Sequence, residues 1–307
     1  MKKVSILVPE SSVMQAIADP QYLFSAANQF LLSVGKSPLF EVELVGVKKQ
    51  IKLNNGMFSV HTNRLLKEVD ETDLVFIPAL FGDMTSAIAK NKTVVPWIVD
   101  QYRKGAEVAS LCVGAFLLAS TGLLNGKKCS THWGYQSEFR EMYPDVEVVE
   151  GGIVTEEERI YSSGGAHSYW NLLLYLLEKY TDRETAILAS KYFAIDIDRD
   201  SQSAFAMFKG QKSHKDKEIL KAQEYIEKNI HEKISTDELA KISAIGRRTF
   251  ERRFKDATNN SVLEYIQRIK IEAAKRQFET SRKNINEVMY DVGYTDTKAF
   301  RDLFKKL

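Results

Sequence analysis

Residues 234–255 read ISTDELAKISAIGRRTFERRFK, and a related pattern, NINEVMYDVGYTDTKAFRDLFK, occupies residues 284–305. Sliding one stretch along the chain by 50 residues places Leu239 on Met289, Phe250 on Phe300, Phe254 on Phe304 and Lys255 on Lys305. Two aromatic residues four positions apart lie on the same face of a helix. The last third of the chain is therefore predicted to contain a duplicated helical unit.

Capping residues mark where three of these helices begin. Ser235 and Ser261 are each followed three residues later by a Glu, and Asn284 is followed by Glu287 in the same way. In such a capping box, the first side chain and the Glu bond reciprocally to amides at the helix start. Short helices are thus predicted at 236–242 and 285–291, followed by turns at 243–246 and 292–296. This arrangement is typical of a helix-turn-helix.

Basic side chains interleave with the aromatic ones on the second helix of each copy. In the first copy the aromatic rings are expected to face the core while the guanidinium groups point away, towards guanines and phosphates. A charged face is also typical of any solvated helix, but the duplication, the caps and the charge together favour DNA. The predicted DNA-contacting residues are Arg247, Arg248, Arg252, Arg253, Thr297, Lys298 and Arg301.

The charge of the chain is divided unevenly. Residues 1–210 carry 21 Lys and Arg against 25 Asp and Glu, whereas residues 211–307 carry 22 against 16. All six prolines precede residue 145, so the last third can be helical without interruption. An acidic front and a basic helical tail indicate a regulatory module joined to a nucleic-acid binder. We predict an α/β sensor domain at 1–195, a linker at 196–215 and a DNA-binding domain at 216–307.

Short apolar runs alternate with helix-length segments in the front of the chain. Strands are predicted at 4–8, 42–47, 74–77 and 108–111, hairpins at 52–61 and 153–163, and helices at 165–180 and after a capping box at 181–184. Strands that alternate with helices indicate a parallel sheet covered on both faces. The predicted fold is a doubly wound α/β domain with an appended hairpin, followed by an all-α domain with two helix-turn-helix units.

The sequence Ser110-Leu-Cys-Val-Gly-Ala-Phe116 places a cysteine where a strand is predicted to end and a helix to begin. Small residues two positions to either side of Cys112 are typical of a nucleophile elbow. The helix dipole would stabilise a thiolate there, and His132 could reach the same cleft. The alternative is that Cys112 is a small buried thiol closing a tight turn and His132 a structural hydrogen-bonding residue.

The overall composition excludes several classes of protein. Hydrophobic residues make up 44% of the 307 residues and charged residues 27%, and no apolar run approaches the ~20 residues of a membrane span. The run from Val4 to Val8 is too short for the apolar region of a secretory signal, so a cytoplasmic location without membrane partners is predicted. With only Cys112 and Cys129, and histidines without metal-ligand spacing, neither a disulfide framework, a metal nor a cofactor is predicted.

Residues 216–307 resemble the AraC/XylS-type DNA-binding domain, through the stretches 234–240, 247–255 and 285–296. The resemblance implies two helix-turn-helix units joined by a long helix, at 262–278, and control of transcription at promoter DNA. Gly246 departs from the usual Ser cap and Asp302 from a usual Arg. The second unit is therefore expected to read DNA more weakly than the first.

The Cys112 motif and the strand layout resemble the PfpI-like branch of the class I glutamine-amidotransferase superfamily, and the whole chain resembles GlxA-type transcriptional regulators. Hydrolases of that superfamily commonly place a His directly after the Cys, where this chain has Val113, and a Glu just past the first strand, where Glu10 comes early. We predict a sequence-specific transcription regulator that is not an enzyme. The alternative is a cysteine-dependent hydrolase or amidase.

The ligand pocket is predicted at the carboxyl ends of the strands, where the loops from neighbouring strands diverge. The front domain is expected to bind an unidentified small-molecule effector there and to form a homodimer. The candidate pocket residues are Glu10, Gly82, Asp83, Cys112, Val113, His132 and Trp133.

Overall fold

The computed structural model describes residues 1–199, 201–202, 207–208, 210–212 and 214–307. The chain folds into two compact units, Met1–Ala206 and Met207–Leu307. The predicted linker at 196–215 falls partly on residues outside the described ranges, namely 200, 203–206, 209 and 213. The domain limits given above therefore stay a prediction.

The first unit is built on one large sheet. The described strands are β1 (Lys2–Leu7), β2 (Phe40–Gly46), β3 (Gln50–Leu53), β4 (Phe58–His61), β5 (Arg64–Leu65), β6 (Leu74–Ile77), β7 (Glu107–Ser110), β8 (Lys128–Cys129), β9 (Glu147–Val148), β10 (Val154–Glu157) and β11 (Ile160–Ser163). Among them, seven form this sheet in the order β10-β11-β7-β6-β1-β2-β5. Its neighbouring strands are parallel except for the antiparallel pair β10 and β11.

Helices cover both faces of this sheet. They are α1 (Met14–Ser33), α2 (Met84–Lys90), α3 (Val95–Arg103), α4 (Ala115–Ala119), α5 (Gln136–Met142), α6 (Tyr169–Tyr180) and α7 (Arg183–Phe193). All four residues of β6, Leu-Val-Phe-Ile, are buried. Because successive side chains of a strand point to opposite faces, the apolar run shows that neither face is solvated. The predicted doubly wound α/β domain is confirmed.

Both predicted hairpins form, but only one of them joins the main sheet. Strands β3 and β4 pair with each other in a separate two-stranded sheet, so the appended hairpin does not pair with the main sheet. Asn54 and Asn55 between them have φ of 48° and 54°, which asparagine tolerates in turns. The second hairpin joins the main sheet, because β11 pairs with β7 as well as with β10.

The predicted capping box at 181–184 is wrong by one residue. Helix α7 begins after Asp182, whose carboxylate accepts the Thr185 N–H at 2.8 Å. The hydroxyl of Thr181 instead donates to Leu177 O at 2.6 Å. Because Thr181 completes the end of α6, the next residue takes over the cap of α7.

The second unit is helical, as predicted. Its described helices are α8 (Lys217–Lys228), α9 (Thr236–Ile242), α10 (Arg247–Thr258), α11 (Val262–Thr280), α12 (Ile285–Asp291) and α13 (Thr297–Lys306). The short helices α9 and α12 have the predicted bounds, and the long helix α11 continues two residues beyond the predicted end. The two predicted helix-turn-helix units are therefore α9 with α10 and α12 with α13.

Only one of the three capping boxes predicted in the helical tail is reciprocal. Asn284 accepts the Glu287 N–H at 3.1 Å, and Glu287 accepts the Asn284 N–H at 2.8 Å. Ser235 and Ser261 cap their helices, but each Glu that follows binds elsewhere. Glu238 accepts the Tyr225 hydroxyl and Glu264 binds Arg268. A charged or hydroxyl partner has replaced the backbone amide as donor to those two carboxylates.

Helix α11 connects the two helix-turn-helix units by contributing to both of their apolar cores. Tyr265 and Ile269 pack in the first core, and Ile271 and Ala274 pack in the second. Between these pairs, the buried Lys270 donates to Glu232 O at 2.8 Å. The turn of the second helix-turn-helix unit passes so close to the segment after α8 that a Cβ on Gly293 would lie 2.5 Å from His231 O. The tail is therefore packed across the junction between its two helix-turn-helix units.

Candidate functional site

The helices α10 and α13 each bury an aromatic stripe and expose a basic face. Phe250 and Phe254 of α10 are fully buried, and Phe300 of α13 is 2% exposed. Phe304 packs on Phe300, with 5.8 Å between the ring centroids. This is the predicted arrangement, in which the rings fix each helix and leave the opposite face to solvent.

Arg247, Arg248 and Arg252 form the exposed basic face of α10. Arg247 pairs with Asp237 at 2.9 Å and with Glu251 at 3.1 Å, while the more exposed Arg252 lies 3.5 Å from Asp256. Among the described residues, none forms a hydrogen bond or ion pair with the side chain of Arg248. Exposed pairs of this kind contribute only about 0 to 1 kcal/mol, so these guanidinium groups are available to a stronger anionic partner.

The prediction that all four guanidinium groups point away from the core is wrong for Arg253. Its Nε and Nη2 donate to the two carboxylate oxygens of Asp216, at 2.9 and 2.7 Å. Asp216 is only 21% exposed and also caps α8 by accepting the Ile219 N–H. The Arg253 guanidinium lowers the pKa of this carboxyl group below its usual range. Arg253 thus joins α10 to α8 through a bidentate, partly buried ion pair.

Helix α13 has fewer basic groups to offer. Lys298 and Arg301 are exposed, Thr297 is half-buried, and Asp302 is exposed at the position that corresponds to Arg252. Asp296 caps the helix by accepting the Ala299 N–H at 2.7 Å, whereas Gly246, the residue before α10, provides no side-chain cap. The two helix-turn-helix units therefore differ in both charge and capping.

In the first unit, two loops that follow β1 and β6 are tied together at the carboxyl ends of those strands. Phe81 N–H donates to Ser11 O at 2.7 Å, and Val13 N–H donates to Ala79 O at 2.8 Å. With the hairpin β3–β4, these loops line an open cleft of about 890 Å³. The predicted residues Glu10, Gly82 and Asp83 lie in it.

The remaining predicted pocket residues, Cys112, Val113, His132 and Trp133, do not line this cleft. Cys112 and Val113 are buried, and the half-buried Trp133 packs beside His132 with 5.2 Å between the ring centroids. Within the cleft, Glu10 binds Lys48 at 3.0 Å and Asp83 caps α2 by accepting the Ser86 N–H. The hairpin supplies further walls through residues 52–56 and 58.

Cys112 has the backbone of an elbow and the environment of a structural thiol. Its φ is +56°, its N–H donates to Ser163 Oγ at 3.1 Å, and its carbonyl accepts the Thr131 hydroxyl at 3.2 Å. A Cβ on Gly114 would lie 2.6 Å from Ile77 O, which explains the small residue there. Burial raises the pKa of the Cys112 thiol to about 12, so the predicted stabilisation of a thiolate by the helix dipole is outweighed.

His132 is not positioned to act as a base for Cys112. Its Nδ1 accepts the Gly134 N–H at 3.0 Å, so the neutral ring carries its proton on Nε2. Burial lowers the pKa of the imidazole further. No hydrogen bond joins His132 to Cys112 in the described part of the chain. A nucleophile without an adjacent base lacks the arrangement that covalent catalysis requires.

Two residues near this region were missed by sequence reasoning. The carboxylate of Asp19 accepts the Tyr169 hydroxyl at 2.5 Å and the Trp170 Nε1–H at 3.0 Å. An acidic residue between the buried Ile17 and Pro20 could have marked it. The other is Gln202, which is buried within the predicted linker and gave no signal in the sequence. Across the described residues, no cluster of His, Cys, Asp and Glu could hold a metal ion.

Cys112 should resist alkylation in the folded protein. In a Cys129→Ser background, we expect iodoacetamide to label native Cys112 at least ~100-fold more slowly than the unfolded chain at pH 8. Because the thiol pKa is raised, the native rate should show no inflection between about pH 6 and 9. Mass spectrometry of quenched time points measures both rates. Rapid native labelling with an inflection below pH 8 would contradict the buried, protonated thiol.

The Arg253–Asp216 pair should stabilise the tail. We expect Arg253→Gln to lower the free energy of unfolding by about 1 to 2 kcal/mol at neutral pH, measured by urea denaturation. The folded pKa of Asp216 is lowered, so this contribution is present above the unfolded pKa of about 4 and is lost as pH falls further. Arg252→Gln, which removes an exposed pair, is the matched control and should cost less than about 0.5 kcal/mol. Equal losses in the two variants would refute a structural role for Arg253.

Comparisons with known proteins agree with this architecture. The transcriptional regulator ArgR of Pseudomonas aeruginosa is 26% identical over 207 residues, which cover 66% of this chain. The chain spans 63% of the length of ArgR. The transcriptional regulator CdhR of the same organism is 23% identical over 296 residues, covering 96% of this chain and 85% of that protein.

A crystal structure of an AraC family transcriptional regulator from Pseudomonas putida superposes with a TM-score of 0.54 and 16% identity, over 63% of this chain and 100% of that one. That likeness concerns the fold alone. Residues 239–307 match a helix-turn-helix domain family, and residues 7–179 match the DJ-1/PfpI family. The AraC-type and PfpI-like resemblances are thereby confirmed. Since the second match covers more than half of the chain, the chain belongs to the DJ-1/PfpI family and carries a helix-turn-helix domain after its α/β unit.

Proposed function

We propose that the protein is a transcription regulator that binds promoter DNA in a sequence-specific manner. The observation that carries this proposal is the pair of helix-turn-helix units packed against α11, each with an exposed basic face on its second helix. In such units the second helix enters the major groove. The relatives ArgR and CdhR are named as transcriptional regulators, which supports the same function.

Within the tail, we assign DNA contacts first to Arg248 and Arg252 of α10. Both side chains are exposed, and an Arg in the major groove makes a bidentate contact to guanine worth about 1 to 3 kcal/mol of discrimination. Arg247 is a further candidate, while Arg253 is bound to Asp216 and acts through the position of α10. In the second helix-turn-helix unit, the DNA contacts are assigned to Thr297, Lys298 and Arg301.

We propose that the α/β unit senses a small molecule and does not catalyse a reaction. The buried Cys112 and the Nε2-protonated His132 support this reading, because neither can start nucleophilic catalysis as arranged. The cleft lined by Glu10, Gly82 and Asp83 is the proposed effector site, with the hairpin residues Lys52 and Phe58 as additional walls. Its mixture of charged and aromatic side chains suits a small polar metabolite.

We also propose a cytoplasmic location, because the proposed partner is promoter DNA. In the described part of the chain, no helix is long and apolar enough to cross a bilayer. That finding is consistent with the proposal.

The two DNA-reading helices should contribute unequally. On a site selected from random DNA by the purified protein, we expect Arg248→Ala and Arg252→Ala each to weaken binding by about 1 to 3 kcal/mol. Asp302→Ala should bind as well or better, since it removes a negative charge near phosphate. Fluorescence anisotropy titrations at fixed salt measure these changes.

The matched control for these titrations is Lys221→Ala on α8, which removes an exposed positive charge outside both helix-turn-helix units. It should change affinity by less than about 0.5 kcal/mol. A larger loss of DNA affinity for Asp302→Ala than for Arg252→Ala would show that the second helix-turn-helix unit, and not the first, contributes more to binding. Failure to select any DNA sequence would reject the proposed function.

We propose that the protein is a homodimer through its α/β unit. An aromatic surface on α1 and α7 supports this, because Tyr22 is 51% and Tyr192 58% exposed and their hydroxyl groups are 3.0 Å apart. Leu188, 41% exposed, lies on the same helix as Tyr192. Large exposed aromatic groups are enriched at protein interfaces.

This dimer predicts a specific response to a charge at its centre. The full chain should sediment as a dimer at micromolar concentration, and Tyr192→Asp should shift it to monomer by burying a carboxylate without a partner. Met57→Asp, at the exposed tip of the hairpin, should leave the sedimentation coefficient unchanged. A monomeric wild-type protein, or equal effects of the two variants, would exclude this interface.

A further inference from the structure

The side chain of Gln202 is held inside the first unit by three hydrogen bonds to backbone atoms. Its Nε2 donates to Thr131 O at 3.0 Å and to Gly152 O at 3.1 Å, and its Oε1 accepts the Gly165 N–H at 2.8 Å. The residue is 1% exposed. Both N–H groups and the carbonyl oxygen of the carboxamide are therefore satisfied away from water.

The backbone around Gln202 is bound to the same region. Its N–H donates to Gly151 O at 2.8 Å, and Ser201 forms an isolated antiparallel bridge with Gly152. A segment that lies after the last helix of the α/β fold is thus paired with a loop that lies before β10. Since backbone and side chain bind together, the contact fixes this stretch of chain in one register.

Two glycines make room for the carboxamide. A Cβ on Gly164 would lie 2.7 Å from Gln202 Nε2, and a Cβ on Gly165 would lie 2.8 Å from His132 Cδ2. A side chain at either position would force the side chain of Gln202 or His132 to move. We call the group formed by Thr131, Gly152, Gly164 and Gly165 the carboxamide cradle. It lies next to His132, and the Thr131 hydroxyl connects it to the carbonyl of Cys112.

The cradle selects one kind of functional group. Two carbonyl oxygens require two N–H donors, and the Gly165 N–H requires an acceptor on the same planar group. A primary carboxamide supplies both. A carboxylate would place an anionic oxygen against two carbonyl oxygens, and an aliphatic group would leave the Gly165 N–H and both carbonyls buried without hydrogen-bond partners, which is unfavourable.

We propose that the cradle is a binding site for a primary carboxamide, and that Gln202 occupies it to anchor the segment following the α/β fold beside His132. The regulatory part of this proposal rests on the proposed function. Residues 201–202 precede the helix-turn-helix tail in the sequence, so a carboxamide ligand that displaced Gln202 would release this point of attachment to the α/β unit. The binding site itself can be tested without DNA.

Chemical rescue tests the site in the full-length protein. Gln202→Ala removes the atoms of one acetamide molecule and leaves the cradle in place. We expect the melting temperature of the α/β unit to fall by about 3 °C or more in this variant, because three buried hydrogen bonds are lost. Added acetamide should restore part of this loss, and isosteric acetate should not. Differential scanning calorimetry with each additive measures the shifts.

Gln29→Ala, at an exposed position of α1, is the matched control, and acetamide should leave its melting temperature and that of the wild type nearly unchanged. Selective rescue of Gln202→Ala by acetamide supports the cradle. Equal shifts in Gln29→Ala, or equal rescue by acetate, would overturn it.

A second measurement covers the case in which Gln202→Ala does not fold. In the wild-type protein, the Gly165 amide should exchange with deuterium at least ~10-fold more slowly than an unprotected amide, because Gln202 accepts its hydrogen bond. Unprotected exchange at Gly165 would overturn the proposal. Neither measurement involves DNA, so a failure of the proposed DNA binding is distinguishable from a failure of the cradle.

Discussion

A parallel sheet that is covered on both faces constrains the rest of the first unit. Its central strand β6 is apolar at every position, so this strand offers polar groups only through the loop at its end. The loops after β1 and β6 and the hairpin line an open cleft. The turn after β7 points inward, and its Cys112 is buried beside Ser163. The same sheet therefore produces an accessible cleft and, separately, a closed elbow that does not line it.

In the helical unit, Met207–Leu307, the corresponding constraint is helix α11, which both helix-turn-helix units share. A helix-turn-helix pair is too small to bury much apolar surface by itself. Helix α11 places Tyr265 in one small core and Ile271 in the other, and so joins them into one packed body. The close approach of Gly293 to His231 and the bond from Lys270 to Glu232 lie at the junction. Packing on α11 therefore fixes the position of α10 in one core and of α13 in the other.

Local signals in the sequence predicted the local structure well. Helices α9 and α12 have the predicted bounds, because the capping residues Ser235 and Asn284 mark where they begin. The helices that follow them, α10 and α13, are marked by Phe residues at helical spacing. Contacts between distant positions could not be predicted in this way. Arg253 lies 37 residues from Asp216, and Gln202 lies 71 residues from Thr131. Similarly, the division of the predicted pocket depends on which way each loop turns, and composition does not encode that direction.

The ion pairs of α10 would keep this helix selective in the DNA binding that we propose. In the free protein, Arg247 and Arg252 lie against the carboxylates of Asp237, Glu251 and Asp256, which lower the local positive potential. Phosphate attraction, the sequence-independent part of binding, is weakened accordingly. These exposed pairs cost little to break, so a guanine in the correct position can still engage the guanidinium group. The bidentate pair of Arg253 with Asp216 is less exposed and would cost more to separate, so it keeps α10 in place while its exposed neighbours exchange partners.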